Sequence, residues 1–355
     1  MYIVRMKKID PAELEAVNAV VAFLWQPEKE LLYRDRFYYK INPLTDRSER
    51  LEETNRQLEP LGWQAKFAGR DSVPILEVKP ETKASFPWLA AGLFAATVLS
   101  VIFFPPFLQY ETEIFRNWNL VAQNLPFAFG LLAILTCHEA GHFFAAKRLG
   151  VEVSFPYFIP GPTLFGTFGA IIRANAPFFN RRELMEIAAA GPIAGLVVAI
   201  PALIYGLQNS QVVLETTGGL MLGDSLLSKW LSDLIWGKLP EGYTILISPL
   251  GFAGWAGLLV TMLNLLPIGS LDGGHIAYAL FGKKQKWVAR IFWFSLFPLG
   301  FWFNGWWMWA LLAVFFRLEH PPTLDDGYEL ATSHQVLGWL SLLIFILIFI
   351  PVPLA

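Results

Sequence analysis

The sequence predicts an α-helical polytopic membrane protein of about six to seven transmembrane helices, with a membrane-associated β segment and a small soluble α+β N-terminal domain. Three observations lead there. The 355 residues are 55% hydrophobic and only 16% charged, against roughly 25% charged in ordinary globular domains. Several apolar runs reach about 20 residues, the length that crosses a bilayer core of about 30 Å. Residues 1–84 lack such runs and read as an accessory domain, leaving 85–355 as the membrane domain with a core at about 119–282.

In the accessory domain, Asp10 caps and Pro11 opens a helix over PAELEAVNAVVAFLW, since proline suits a first turn whose N–H groups have no partner. A strand follows at Arg36–Ile41, then a charged helix over about Asp46–Leu61. Two more strands are expected at Trp63–Phe67 and Pro74–Val78, and the domain ends near Lys79-Pro80. The start has no apolar signal-peptide core, so the N-terminus is expected to stay cytoplasmic, in a bacterial cytoplasmic or thylakoid/plastid-type membrane.

The expected spans cover 86–108, 119–146, 183–207, 245–267, 287–303, 305–318 and 335–353. The fifth and sixth are short and meet at Asn304-Gly305, where a bent hairpin would count as one. Lys147, Arg148, Arg173, Arg181 and Arg182 flank the loop between the second and third spans, and Lys283, Lys284, Lys286 and Arg290 follow the fourth. A cytoplasmic N-terminus puts both loops on the cytoplasmic face, as the positive-inside rule requires. The opposite loop, 208–244, carries an amphipathic Ser225–Trp236 expected along the outer interface. Residues 151–175 contain an alternating Phe165–Arg173 with Gly166 and Gly169, read as a strand or hairpin at membrane level.

Chemistry concentrates in the second span. His138-Glu139-Ala140-Gly141-His142 lies inside LPFAFGLLAILTCHEAGHFFAA. On a helix the two histidines share one face and can address one ion. Glu139 is then placed as the general base of a zinc hydrolase. With Lys147 and Arg148 at the interface, His138 lies roughly 14 Å and His142 roughly 8 Å deeper at 1.5 Å per residue. Hydrolytic zinc takes three protein ligands and a water. The other histidines are His275, His320 and His334, but Asn264-Leu-Leu-Pro267-Ile-Gly-Ser-Leu-Asp272-Gly-Gly-His275 offers a better third ligand. Pro267 and the glycines unwind the fourth span, and the ionisable Asp272 at that break needs a cation or a partner. One shared Zn²⁺ serves both motifs.

The two motifs together resemble the site-2 protease family of intramembrane metalloproteases, peptidase family M50, over roughly residues 86–320. The resemblance implies zinc ligands His138, His142 and Asp272, the catalytic base Glu139, and Asn264 as a holder of substrate or water. It also places Gly191-Pro192-Ile193-Ala194-Gly195 on a glycine-bearing core helix. Nothing resembles the PDZ domain or CBS pair of other branches. The N-terminal domain, the Ser225-Leu-Leu stretch and His320-Pro321-Pro322 look most like the cyanobacterial and plastid branch. Implied partners are transmembrane protein substrates and membrane lipid.

The implied activity is zinc endoproteolysis of peptide bonds in or near transmembrane segments, on substrate helices that unwind locally. A substrate strand could add to the edge at Phe165, Gly166, Thr167, Phe168, Gly169 and Ala170. Other residues read more plainly. His275 is expected to support the site from outside the ligand set or to stand at the interface, and His320 and His334 to be solvated. Cys137, the single cysteine, excludes an internal disulfide and reads as packing. Gly191 and Gly195, with Gly251, Gly254 and Gly257, read as helix-packing glycines. Tryptophans 287, 293, 302, 306, 307 and 309 read as interfacial anchors. The net charge of −2 speaks against nucleic acid. The competing functions are a metal-ion transporter, which should show repeated halves and polar groups through the full depth, and a non-catalytic relative that binds membrane proteins. The intact Glu139 weighs against the latter.

Overall fold

The computed structural model describes residues 11–33, 36–41, 46–68, 75–80, 87–174, 177–215, 221–315, 317–327 and 329–354. Asp10, Pro74 and Asn175, used above as boundaries, lie outside them. The chain forms two compact units. The first comprises residues 1–86 with 146–153 and 174–179; the second holds the rest.

In the first unit, α1 (Pro11–Trp25), β1 (Lys29–Tyr33), β2 (Arg36–Lys40), α2 (Arg47–Leu58), β3 (Trp63–Ala68) and β4 (Ile75–Pro80) follow in order. The strands make an antiparallel sheet in the order β1-β2-β4-β3. Strand alternation sends Phe37, Tyr39, Trp63, Ala65, Leu76 and Val78 to one side. They pack there with Val17, Val21 and Trp25 of α1 and Leu58 of α2, and Trp25 Nε1 donates to Thr54 Oγ1 at 2.7 Å. β1 was not expected, because its charged KELLY carries little strand signal.

Residues of opposite parity, Arg36, Tyr38, Lys66, Glu77 and Lys79, take the sheet's other face. Glu152, from the segment at 146–153, is held there by Arg36, Lys66 and, at 2.9 Å, Lys79. Phe179 lies against the Tyr38 ring at 5.9 Å. Burial works against the Glu152 charge, but the hydrogen bonds from Lys66, Arg36 and Lys79 outweigh it and hold its carboxyl far below the usual range.

The second unit runs α3 (Trp88–Tyr110), α4 (Trp118–Leu149, whose last turn belongs to the first unit), β5 (Tyr157–Pro160), β6 (Thr167–Ile171) and α5 (Arg181–Gln208). It continues with β7 (Gln211–Leu214), α6 (Leu226–Trp236), β8 (Tyr243–Leu246), α7 (Pro249–Asn264) and α8 (Asp272–Phe281). Last come α9 (Gln285–Leu299), α10 (Gly305–Phe315) and α11 (Thr332–Ile348). Three helical stretches, Trp88–Phe115, Trp118–Leu149 and Arg181–Gln208, are long and apolar enough to cross a membrane, and α7, α10 and α11 are shorter apolar helices. The molecule is therefore mostly helical and membrane-embedded.

Side chains repair the backbone where sequence breaks it. Pro105 and Pro106 lie inside α3 and cannot donate to the carbonyls four residues earlier. Those carbonyls, Val101 O and Ile102 O, each accept instead from Asn124 Nδ2 of α4 at 3.0 Å. α5 and α7 cross with Gly206 against Gly251, backbone to backbone.

The expected outer loop, with the first two residues of the expected fourth span, holds an unforeseen two-stranded sheet, β7 paired antiparallel with β8 on either side of α6 in sequence. The fourth span therefore begins only at Pro249. Both strands have four residues each, too short for alternation to show. α6 begins at a reciprocal Ser225–Ser228 cap and exposes Leu226, Trp230 and Leu234 along one face while burying Leu231. The expected strand at Phe165–Arg173 is shorter: β6 begins at Thr167 because Gly166, at φ 74°, turns the chain just before it. The fifth and sixth expected spans are the hairpin of α9 and α10, closed by Trp293 Nε1 on Ala310 O at 2.8 Å.

Two histidines expected to be solvated are not. His320 is 8% exposed, and His334 Nε2 lies 2.8 Å from Glu186 Oε1 with little side-chain exposure. Both sit in a polar loop or at a helix start by sequence, but packed elements cover them.

Candidate metal centre

The helical repeat of α4 puts His138 and His142 one turn apart on one face. The centre is closed from the other side by the break between α7 and α8. Asn264 ends α7, Pro267 withholds a backbone donor, and the chain turns through Ile268 N to Leu266 O (2.7 Å) and Leu271 N to Ile268 O (3.0 Å). Asp272 then opens α8. A Cβ on Gly273 would stand 1.9 Å from Leu265 O, so only glycine lets α8 start directly against the carbonyls that follow α7. That approach brings in Asp272.

His138, His142 and Asp272 each offer a ligand atom, and these atoms lie within 4.8 Å of one another. His138 Nε2 is 3.2 Å and His142 Nε2 is 3.3 Å from Asp272 Oδ2, while the two Nε2 atoms are 3.1 Å apart. Three donors about 2.0–2.1 Å from a tetrahedral ion stand about 3.3 Å from each other. The donor set therefore fits a small divalent ion such as zinc.

Hydrogen bonding gives a second argument. His142 Nδ1 lies 2.8 Å from Ile187 O on α5. A carbonyl oxygen only accepts, so Nδ1 carries a proton and Nε2 is the nitrogen left facing His138 and Asp272. A neutral ring held in that way can offer its Nε2 lone pair to a cation placed among the three groups. A metal ligand oriented by a backbone carbonyl through its other nitrogen is a familiar outer-shell device.

Glu139 follows His138 on α4 and is 6% exposed, with His138 at 3%. Asn264 Nδ2 lies 3.3 Å from His138 Nε2. Five sequence-selected residues are thus accounted for: three converge, Asn264 adjoins them, and Glu139 is buried at the same turn of α4. Cys137 is a free, half-buried thiol.

The expected strand-edge residues are not all presented alike. Phe165 and Gly166 belong to the turn, and the Phe165 ring lies 6.0 Å from Phe252 and 6.5 Å from Trp255 of α7. Thr167 is buried and donates to Ile159 O at 2.8 Å. Phe168 is exposed, Gly169 has φ 93°, and Ala170 pairs with Phe158.

Two contributors to the centre were not foreseen. The Ile187 carbonyl has no signature in sequence. Gly191 was read as a packing glycine, yet a Cβ there would stand 2.0 Å from His142 Nε2. Its absence makes room for the His142 ring.

Residues 126–299 match Peptidase family M50. The chain is 32% identical over 294 residues to the probable zinc metalloprotease EGY2, chloroplastic, of Arabidopsis thaliana, covering 80% of this chain and 52% of the relative. It is 33% identical over 242 residues to the probable zinc metalloprotease EGY1, chloroplastic, of Oryza sativa subsp. japonica, covering 65% and 41%. With EGY3, chloroplastic, of Oryza sativa subsp. indica the identity is 28% over 297 residues, covering 76% and 49%. The chain spans about half the length of these curated relatives. No solved structure matches it.

Proposed function

The chain belongs to peptidase family M50, and we propose on that premise that it is an intramembrane zinc endopeptidase cutting transmembrane segments of other proteins. The observation that carries the reading is the convergence of His138, His142 and Asp272 beside a buried glutamate. In this reading those three hold one Zn²⁺, Glu139 is the catalytic base, and Asn264 positions substrate or water. About six to seven spans are drawn from α3, α4, α5, α7, the α9–α10 hairpin and α11. Residues 1–84 lie on the cytoplasmic side, and the membrane is of the bacterial cytoplasmic or the plastid type, of which the chloroplastic relatives support the second.

A bound zinc ion supplies a water of near-neutral pKa and a Lewis acid for the peptide carbonyl. Glu139 takes the proton of the attacking water at its carboxylate and returns it to the leaving amine. The Ile187 carbonyl keeps His142 in one tautomer throughout. Asn264 Nδ2 is a donor for the carbonyl that gains charge. Apolar neighbours of α4 and α5 exclude bulk water, and the substrate helix unwinds to expose its scissile bond.

The test is reconstitution of the chain in vesicles with a single-span substrate. Cleavage within the span, stopped by a zinc chelator and restored by zinc, is the expected result. Zinc flux without cleavage would overturn the reading in favour of a transporter.

The edge of β6 is proposed as the place where unwound substrate adds as a strand, supported by the exposed Phe168 in a two-stranded sheet. Proline at Ala170 or Ile172 removes a backbone donor from that segment. Either variant should slow cleavage with zinc content unchanged, and undiminished cleavage would sink the assignment.

A further inference from the structure

Asp272 opens a helix of only ten residues whose N-cap, Leu271, makes no side-chain cap. Something else must hold that helix still. The segment Leu318–Asp326, between α10 and α11, binds it at three places. Before Asp272, Gly269 N donates to Leu318 O at 3.2 Å. After α8, Gln285 bridges the same segment, with Nε2 donating to Leu318 O (3.1 Å) and Oε1 accepting from His320 N (3.1 Å). Along α8, Tyr278 donates its hydroxyl to Asp326 at 2.9 Å, and Thr323 Oγ1 donates to the other carboxylate oxygen at 2.7 Å.

His320 is the centre of this strap. Its ring stacks on Tyr278, centroids 4.5 Å apart and planes 29° from parallel. Its Nε2 lies 2.7 Å from Nδ1 of His275, one turn beyond Asp272 on α8. The direction of that bond is determined. His320 Nδ1 meets the Pro321 carbonyl, which only accepts, so Nδ1 carries the proton and Nε2 of the neutral ring is the acceptor. His275 Nδ1 must then be the donor. Burial, with His275 beside it, lowers the His320 pKa to about 3, so the ring stays neutral across the physiological range. The outcome is a one-way chain from His275 through His320 to a backbone oxygen.

We propose that His320 is a positioning residue for the metal centre: by accepting from His275 it fixes α8, and with it the Asp272 carboxylate, against His138 and His142. The proposal rests on Asp272 being a zinc ligand. Partners that orient metal ligands typically cost 10–100-fold in affinity when removed.

The test measures zinc affinity of the full chain by chelator competition. His320→Phe keeps a ring over Tyr278 but removes the acceptor, and should weaken zinc binding by roughly 10–100-fold. His320→Gln restores an acceptor near the Nε2 position without the ring, and should recover to within about 3-fold of the parent, inside the range of a retained partner. A role in packing alone predicts the reverse order, which would overturn the proposal. If His320→Phe does not fold, His320→Asn, whose amide reaches only the Nδ1 position, replaces it with the same expectation. Asp272→Asn in parallel separates the two readings. Unchanged zinc affinity there removes Asp272 as a ligand, whereas loss there with no loss in His320→Phe removes only the strap.

Discussion

Glu139→Gln should retain zinc and lose cleavage, with kcat falling by about 10²–10⁴-fold, the range a positioned general base contributes. The substitution keeps the shape of a side chain that is 6% exposed, so packing of α4 is preserved. What changes is that an amide cannot take a proton from water. Water from outside cannot substitute, because the position is buried in an apolar helix. The measurement is single-turnover cleavage of a single-span substrate beside zinc stoichiometry on the same preparation. Parent-like cleavage would remove Glu139 from the mechanism. Loss of both zinc and cleavage would make Glu139 part of the metal-holding structure instead.

Gly191→Ala is expected to disable the centre without touching any ligand. The new Cβ would stand 2.0 Å from Nε2 and 2.4 Å from Cδ2 and Cε1 of His142. The ring cannot simply swing aside, because its Nδ1 is tied to Ile187 O on the same helix that carries the new methyl group. Either α5 withdraws or His142 gives up its hydrogen bond and its place beside Asp272. Zinc affinity should fall about 100-fold, the upper end of the cost of losing a ligand's orienting partner, and cleavage should fall with it. Gly195→Ala is the control. Its Cβ would meet His138 Cβ and Nδ1 at 3.3 Å, which a shift of a few tenths of an ångström relieves. Its zinc affinity should stay within about 3-fold of the parent, short of the loss of an orienting partner. Equal effects of the two substitutions would mean that Gly191 serves helix packing in general and not the His142 ring.

The legibility of this chain divides by the range over which residues act. His138 and His142 were readable as a pair because a fixed helical repeat puts residues four apart on one face, whatever surrounds them. The long apolar helices were readable because bilayer thickness sets their length. Asp272 was readable because Pro267 and the glycines mark a break where an acid needs company. The short strands β7 (QVVL) and β8 (YTIL) escaped because four residues are too few to carry a period. His320 was misread as solvated because a histidine before two prolines looks like surface loop until Gln285, His275 and Tyr278 close over it.

By itself, then, the sequence determined that a helix too apolar for water carries two histidines on one face and a glutamate, and that an aspartate on a broken helix is available to join them. Only the tertiary structure decided the rest. It placed the Ile187 carbonyl behind His142, required a missing methyl group at Gly191, and wrapped Leu318–Asp326 around the helix that opens with Asp272. It also put Glu152 in the three-cation cradle of the first unit. Periodicity and composition act along the chain and leave marks in neighbouring letters. A carbonyl, a void or a hydrogen bond between residues 45 positions apart depends on how helices pack, and no local pattern records it.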